Sequence, residues 1–153
     1  MYTATAARNR FSAGNLEGVS GPRIVVMCFD RLERDLTSGM SAIESHDHYE
    51  ANSALGHAQD LLSELATMLD TGAWEHAGSL LAIYDYLLRV LAIANARKDI
   101  AMVQEAMRHV TSLGAAFREA ERAMTQAAPA VVPRSDGGGQ ASGAEPRRIS
   151  VQA

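Results

Sequence analysis

Five histidines, one cysteine and a scatter of carboxylates are the side chains here with chemistry to offer. His46-Asp47-His48 places two imidazoles and a carboxylate side by side, an adequate donor set for a divalent transition metal. The run interrupts a helical pattern, and neighbouring loop residues rarely converge on one ion without a scaffold, so it reads as a solvated turn. A di-iron bundle needs inward Glu residues and Glu-x-x-His pairs on two helices. No Glu-x-x-His occurs anywhere in the chain. Cys28 has no second cysteine to pair with, and its apolar neighbours make it a small buried hydrophobe rather than a reactive thiol. Gly137-Gly138-Gly139 lacks the preceding strand and following helix of a phosphate loop. No motif sets a nucleophile beside a base. The expectation is a binding protein without catalysis, cofactor or metal.

The elements that would position any site are all helical. With 153 residues, the chain has room for one domain with a single core. Hydrophobic residues make up 47 % and aromatics only 5 %, a balance that disfavours strands. The net charge of −4 gives no basic stripe for nucleic acid. The first 20 residues hold no apolar run of the kind a secretory signal needs, and Asp85 and Arg89 interrupt the most apolar stretch, Leu80 to Ala96. These features predict a cytoplasmic protein without membrane insertion.

Three regions separate by composition. Residues 1–19 are small and polar with isolated Phe11, Leu16 and Val19, and form an N-terminal arm. Residues 20–127 carry helical periodicity almost without break. Residues 128–153 hold three of the four prolines and the glycine run, and are expected to stay disordered because they bury too little apolar surface to offset chain entropy.

Within the middle region the spacing predicts four helices. The first starts at Gly21-Pro22, with Val25, Cys28, Leu32, Leu36, Met40 and Ile43 as its seam. In the second, Ala51, Leu55, Ala58, Leu62, Leu65 and Leu69 alternate steps of four and three, and Gly72 is available for a left-handed cap. The third runs from Ala73 to Ala96 with Leu80, Tyr84, Leu87 or Leu88, and Leu91 on one face. Asp99 caps the fourth, whose seam runs from Val103 and Val110 through Phe117 to Met124. Short turns force neighbouring helices antiparallel, so the fold class is an all-α, up-down four-helix bundle.

Apolar residues exceed what these seams use. Ile24, Val26 and Met27 lie outside the first, Leu61 and Met68 outside the second, and Ile83 and Val90 outside the third. An over-wide stripe either packs on both sides or presents a groove to a partner. Seven methionines suit a groove that adapts to varied helical ligands, while a thick core explains the same surplus. Tyr86 also lies off the seam, and with these residues it forms the candidate partner surface. Phe11, Leu16 and Val19 would cover part of that surface until a partner displaces them.

Several ordered motifs resemble one family. Gly21-Pro22-Arg23-Ile24-Val25-Val26-Met27-Cys28-Phe29-Asp30-Arg31-Leu32 is similar to the signature of the FliS family of flagellin export chaperones. So are Asn52-Ser53-Ala54-Leu55-Gly56-His57-Ala58-Gln59 and Ile83-Tyr84-Asp85-Tyr86-Leu87-Leu88-Arg89-Val90-Leu91-Ala92-Ile93-Ala94-Asn95, followed by Lys98-Asp99. Phe29 and Phe11 stand where the family has Tyr, which removes two hydroxyls and keeps the rings. The resemblance implies an antiparallel bundle that binds the disordered C-terminal segment of flagellin one-to-one in the cytoplasm. It further implies that premature polymerisation is blocked and that the subunit stays competent for flagellar type III export. Export-apparatus and regulatory proteins are the secondary partners to consider. The rival readings are an adaptor for some other amphipathic helix and a purely structural bundle.

Overall fold

The computed structural model describes residues 21–127, which form four α-helices and no strand. They are α1 (Gly21–Glu44), α2 (His48–Met68), α3 (Ala77–Arg97) and α4 (Ile100–Ala127). The arm residues Phe11, Leu16 and Val19 and the tail from 128 lie outside the described residues. Each helix packs on its sequence neighbours and α4 closes on α1, so the four stand in an up-down-up-down ring. The α3–α4 contact is the thinnest of the four.

Local chemistry explains the turns. His46 takes a left-handed backbone (φ 59°), His46 N–H donates to Ile43 and Asp47 N–H donates to Ala42, which closes α1 in a Schellman arrangement. Asp47 then caps α2 by accepting from Glu50 N–H at 3.0 Å. His46-Asp47-His48 is thus a helix stop followed by a helix start, and no metal-holding group of side chains occurs among the described residues. Lys98, also left-handed at φ 55°, ends α3 in the same way. Its Nζ donates to Asn52 of α2 and to the backbone and side-chain oxygens of Asn95. Asp99 caps α4 through Met102 N–H at 3.2 Å.

Two boundaries differ from expectation. α3 begins at Ala77, not Ala73, and Gly72 takes no left-handed conformation. The carboxylate of Asp70 captures Gly72 N–H at 2.9 Å, and this local bond competes with helix through residues 70–76. At the far end of the chain, Ala120 and Met124 are exposed rather than seam residues. α4 has 28 residues against 21 in α3, and its last buried residue is Gly114. Among the described residues, α4 reaches α1 as far as Glu121, which Arg23 bonds at 3.4 Å, and is exposed from Arg122 onward.

The core is built from Phe29, Leu32, Leu36, Leu55, Leu62, Tyr84, Leu87, Leu91, Val103 and Val110, each 2 % exposed or less. Leu87 rather than Leu88 takes the inward place on α3. On α1, Phe29 and Val26 are inward instead of Val25, and Phe29 stacks on Phe117 of α4 with centroids 5.2 Å apart. α3 is long and apolar enough to cross a membrane by composition alone, but its Leu80, Tyr84, Leu87 and Leu91 lie in the core.

α1 and α2 approach closely at Gly39, where a Cβ would lie 2.6 Å from Leu55 Cδ2 and 2.9 Å from its Cγ. Leu55 is fully buried and has little room to move. Gly39→Ala is therefore expected to destabilise by about 1–3 kcal/mol through overpacking, outweighing the gain in helix propensity. A urea titration showing an unchanged or raised midpoint would mean that the α1–α2 crossing gives way freely.

Candidate functional site

The sequence-predicted surface residues divide between two faces on opposite sides of the ring. The first is the groove between α1 and α2, a hollow of about 610 Å³. Its floor is Cys28 and Leu61, Met27 stands at one end, and the charged walls are Arg31 and Arg34 from α1 and His57, Asp60 and Glu64 from α2. Met68 follows Leu61 by two helical turns on the same face of α2 and is 51 % exposed. Met27 is 43 % exposed, whereas Ile24 is half-buried against the core. Leu61 is 6 % exposed, so it belongs to the core and shows only its edge to the groove.

Beneath this groove lies Asp35, the one buried charged residue among those described. Its Oδ1 accepts from Arg31 Nε at 2.9 Å, and its Oδ2 lies 2.5 Å from His57 Nδ1. Both partners are half-exposed and stand in the groove walls, so the carboxylate is satisfied from the solvent side and ties α1 to α2. On the other flank of α1, Arg118 of α4 bonds Asp30 at 2.6 Å and Glu33 at 3.0 Å. Those bonds hold its guanidinium firmly charged, and they occupy Asp30.

The second face lies between α3 and α4. Ile83, Tyr86, Val90 and Ile93 recur at steps of three and four along α3. Ile83 is half-buried, while Tyr86 and Ile93 are exposed at 39 % and 42 %. Val90, expected as a surface residue, is only 6 % exposed and belongs to the core. The Tyr86 hydroxyl donates to the carboxylate of Glu105, and the ring meets His109 edge-on at 5.8 Å. That bond raises the tyrosine's pKa, because the neutral hydroxyl is the form Glu105 needs. Ile93, Glu105 and His109 were not among the sequence candidates. Continuing the 83, 86, 90 spacing by one step finds Ile93, but nothing in the sequence pairs Tyr86 with α4.

Two buried acids in the core are held in their neutral forms. Burial, then the charge of Glu64, pushes the Cys28 thiol up to about 11, and burial, then Cys28, pushes the Tyr84 hydroxyl up to about 12. Both are acids whose folded pKa exceeds the ordinary 9.0 and 10.0, so the core holds their neutral forms. Their contribution to stability is complete below about pH 9 and is lost as pH rises through 11 to 12. The urea midpoint is accordingly expected to hold at pH 8 and fall steeply above pH 10. At pH 8 a thiol reagent should modify Cys28 only on unfolding; rapid reaction of the native protein would contradict its burial.

Residues 4–124 match the family model described as flagellar protein FliS, a span that takes in α1 through most of α4. The chain is also 30 % identical over 97 residues to the flagellar secretion chaperone FliS of Bacillus subtilis (strain 168), an alignment covering 63 % of this chain and 72 % of that protein.

Proposed function

Since this chain belongs to the FliS family of flagellar proteins, we propose that it is a flagellar secretion chaperone whose client is the C-terminal segment of flagellin. It acts by binding, without catalysis, in the cytoplasm. The observation that carries the reading is the match to this family along the whole bundle, together with the relative's own description as a secretion chaperone.

The two faces suit such a client. A disordered, amphipathic segment folds as it binds and wraps more surface than a rigid partner can reach. The methionines of the α1–α2 groove adapt to irregular apolar side chains, and Tyr86 with Ile93 supplies a stiffer anchor on the opposite side. One client chain that reaches both faces gives a one-to-one complex. Holding flagellin's terminal segment removes the surface through which subunits associate and leaves the polypeptide in a form that can be exported. Phe11, Leu16 and Val19 of the arm are proposed to cover part of this surface before the client arrives.

The test is polymerisation. Purified flagellin seeded with filament fragments should stop elongating, by light scattering, once the chaperone reaches equimolar concentration. Undiminished growth at several-fold excess would overturn the proposal.

A further inference from the structure

The α1–α2 groove is electrically divided along its length. Its α1 wall carries Arg31 and Arg34, and its α2 wall carries Asp60 and Glu64. Each arginine uses Nε within the protein, Arg31 on Asp35 and Arg34 on the backbone oxygen of Asp30 at 3.3 Å. These bonds fix the side chains and leave the terminal guanidinium nitrogens without a partner among the described residues. Asp60 likewise has no hydrogen-bond or ion-pair partner among them. The other charged groups in the hollow are engaged: His57 by Asp35, Asp30 by Arg118, and Glu64 by a further interaction within the protein.

We infer that this groove sets the direction in which an amphipathic client helix lies, by reading opposite charges on the helix's two flanks. Such a helix rests its apolar face on Met27 and the Leu61 edge, which leaves one flank against each wall. An acidic flank meets the guanidinium ends of Arg31 and Arg34, where a carboxylate finds paired donors. A basic flank meets Asp60, the open carboxylate of that wall. Turning the helix end for end exchanges its flanks, so the reversed helix sets like charges against both walls. Charge complementarity of this kind fixes register and suppresses wrong arrangements more than it adds affinity. Single exposed pairs are weak, but reversal changes the sign of all of them together. The preference for one direction is expected to be roughly ten-fold or more at low salt and to shrink as salt screens the walls. The inference rests on the client-binding reading only in taking the occupant to be an amphipathic helix.

Trp74, the single tryptophan, lies in the α2–α3 loop beyond Met68 and so marks one end of the groove. Two synthetic peptides of identical composition serve as probes, each with leucines on one face, glutamates on one flank and lysines on the other, and a dansyl group on the N-terminus. The second peptide interchanges the flanks. Energy transfer from Trp74 should be strong for one isomer and weak for the other, with both bound. In the double variant Arg34→Glu/Asp60→Lys each wall carries one charge of either sign, so the difference between the isomers should vanish, and in Arg34→Gln/Asp60→Asn it should shrink part of the way. Both altered residues are solvent-facing, and circular dichroism confirms that the variants fold. Equal transfer from the two isomers, a preference indifferent to the swap, or no saturable binding of either peptide would each overturn the inference. Flagellin's C-terminal segment, titrated against the same proteins, separates the two claims. If it binds while the peptides show no preference, only the directional reading falls. If it does not bind while the peptides discriminate, only the flagellin assignment falls.

Discussion

Val90→Glu is expected to abolish cooperative folding. Val90 is 6 % exposed and belongs to the core cluster with Leu87, Leu91 and Val103. The cluster is made of apolar residues, so the new carboxylate enters it without a buried partner. An uncompensated buried charge costs several kcal/mol after relaxation, on the order of the whole stability of a small domain. Thermal melts followed by circular dichroism should lose their sigmoid or shift down by tens of degrees. A folded Val90→Glu protein with a near-native midpoint would mean that α3 can turn this residue to the surface.

Tyr86→Ala and Ile93→Glu are expected to do the opposite, leaving folding nearly intact and removing client binding. Both positions are exposed on the face where α3 and α4 make their thinnest contact. Aromatic anchors and apolar centres of interfaces commonly contribute about 2–4 kcal/mol each, roughly a 30- to 1,000-fold loss of affinity. Tyr86→Ala also releases Glu105 and His109, both on the surface, so stability should move by less than about 1 kcal/mol. Calorimetric titration of flagellin into each variant checks this. Unchanged affinity in both would remove the α3–α4 face from the client site and leave the α1–α2 groove.

The contrast between Val90 and Ile93 shows what the sequence makes legible. The four helices, their antiparallel order, the α2 seam and the Asp99 cap follow from spacing alone, because an Ala/Leu heptad and a capping carboxylate act locally. Val26, Leu61 and Val90 are harder to place, since each helix in a ring of four touches two neighbours and buries a face wider than one seam. A single-stripe reading leaves such residues over and assigns them to the surface. Met27, Met68 and Tyr86 are identical in pattern to these and yet are exposed. The difference is set by rotation of each helix about its axis, which depends on close approaches such as Gly39 against Leu55. The Asp35–His57 tie and the divided charge of the groove are wholly tertiary. The tie joins residues 22 apart in the chain and the groove sets α1 against α2, and no periodicity relates either set.

The central claim is that this bundle holds flagellin by its C-terminal segment, and a calorimetric titration of full-length flagellin against flagellin lacking that segment tests it most directly. The account predicts saturable binding at a one-to-one ratio for the intact protein and no heat of binding for the truncated one. Equal binding of both flagellins, or of neither, would contradict it.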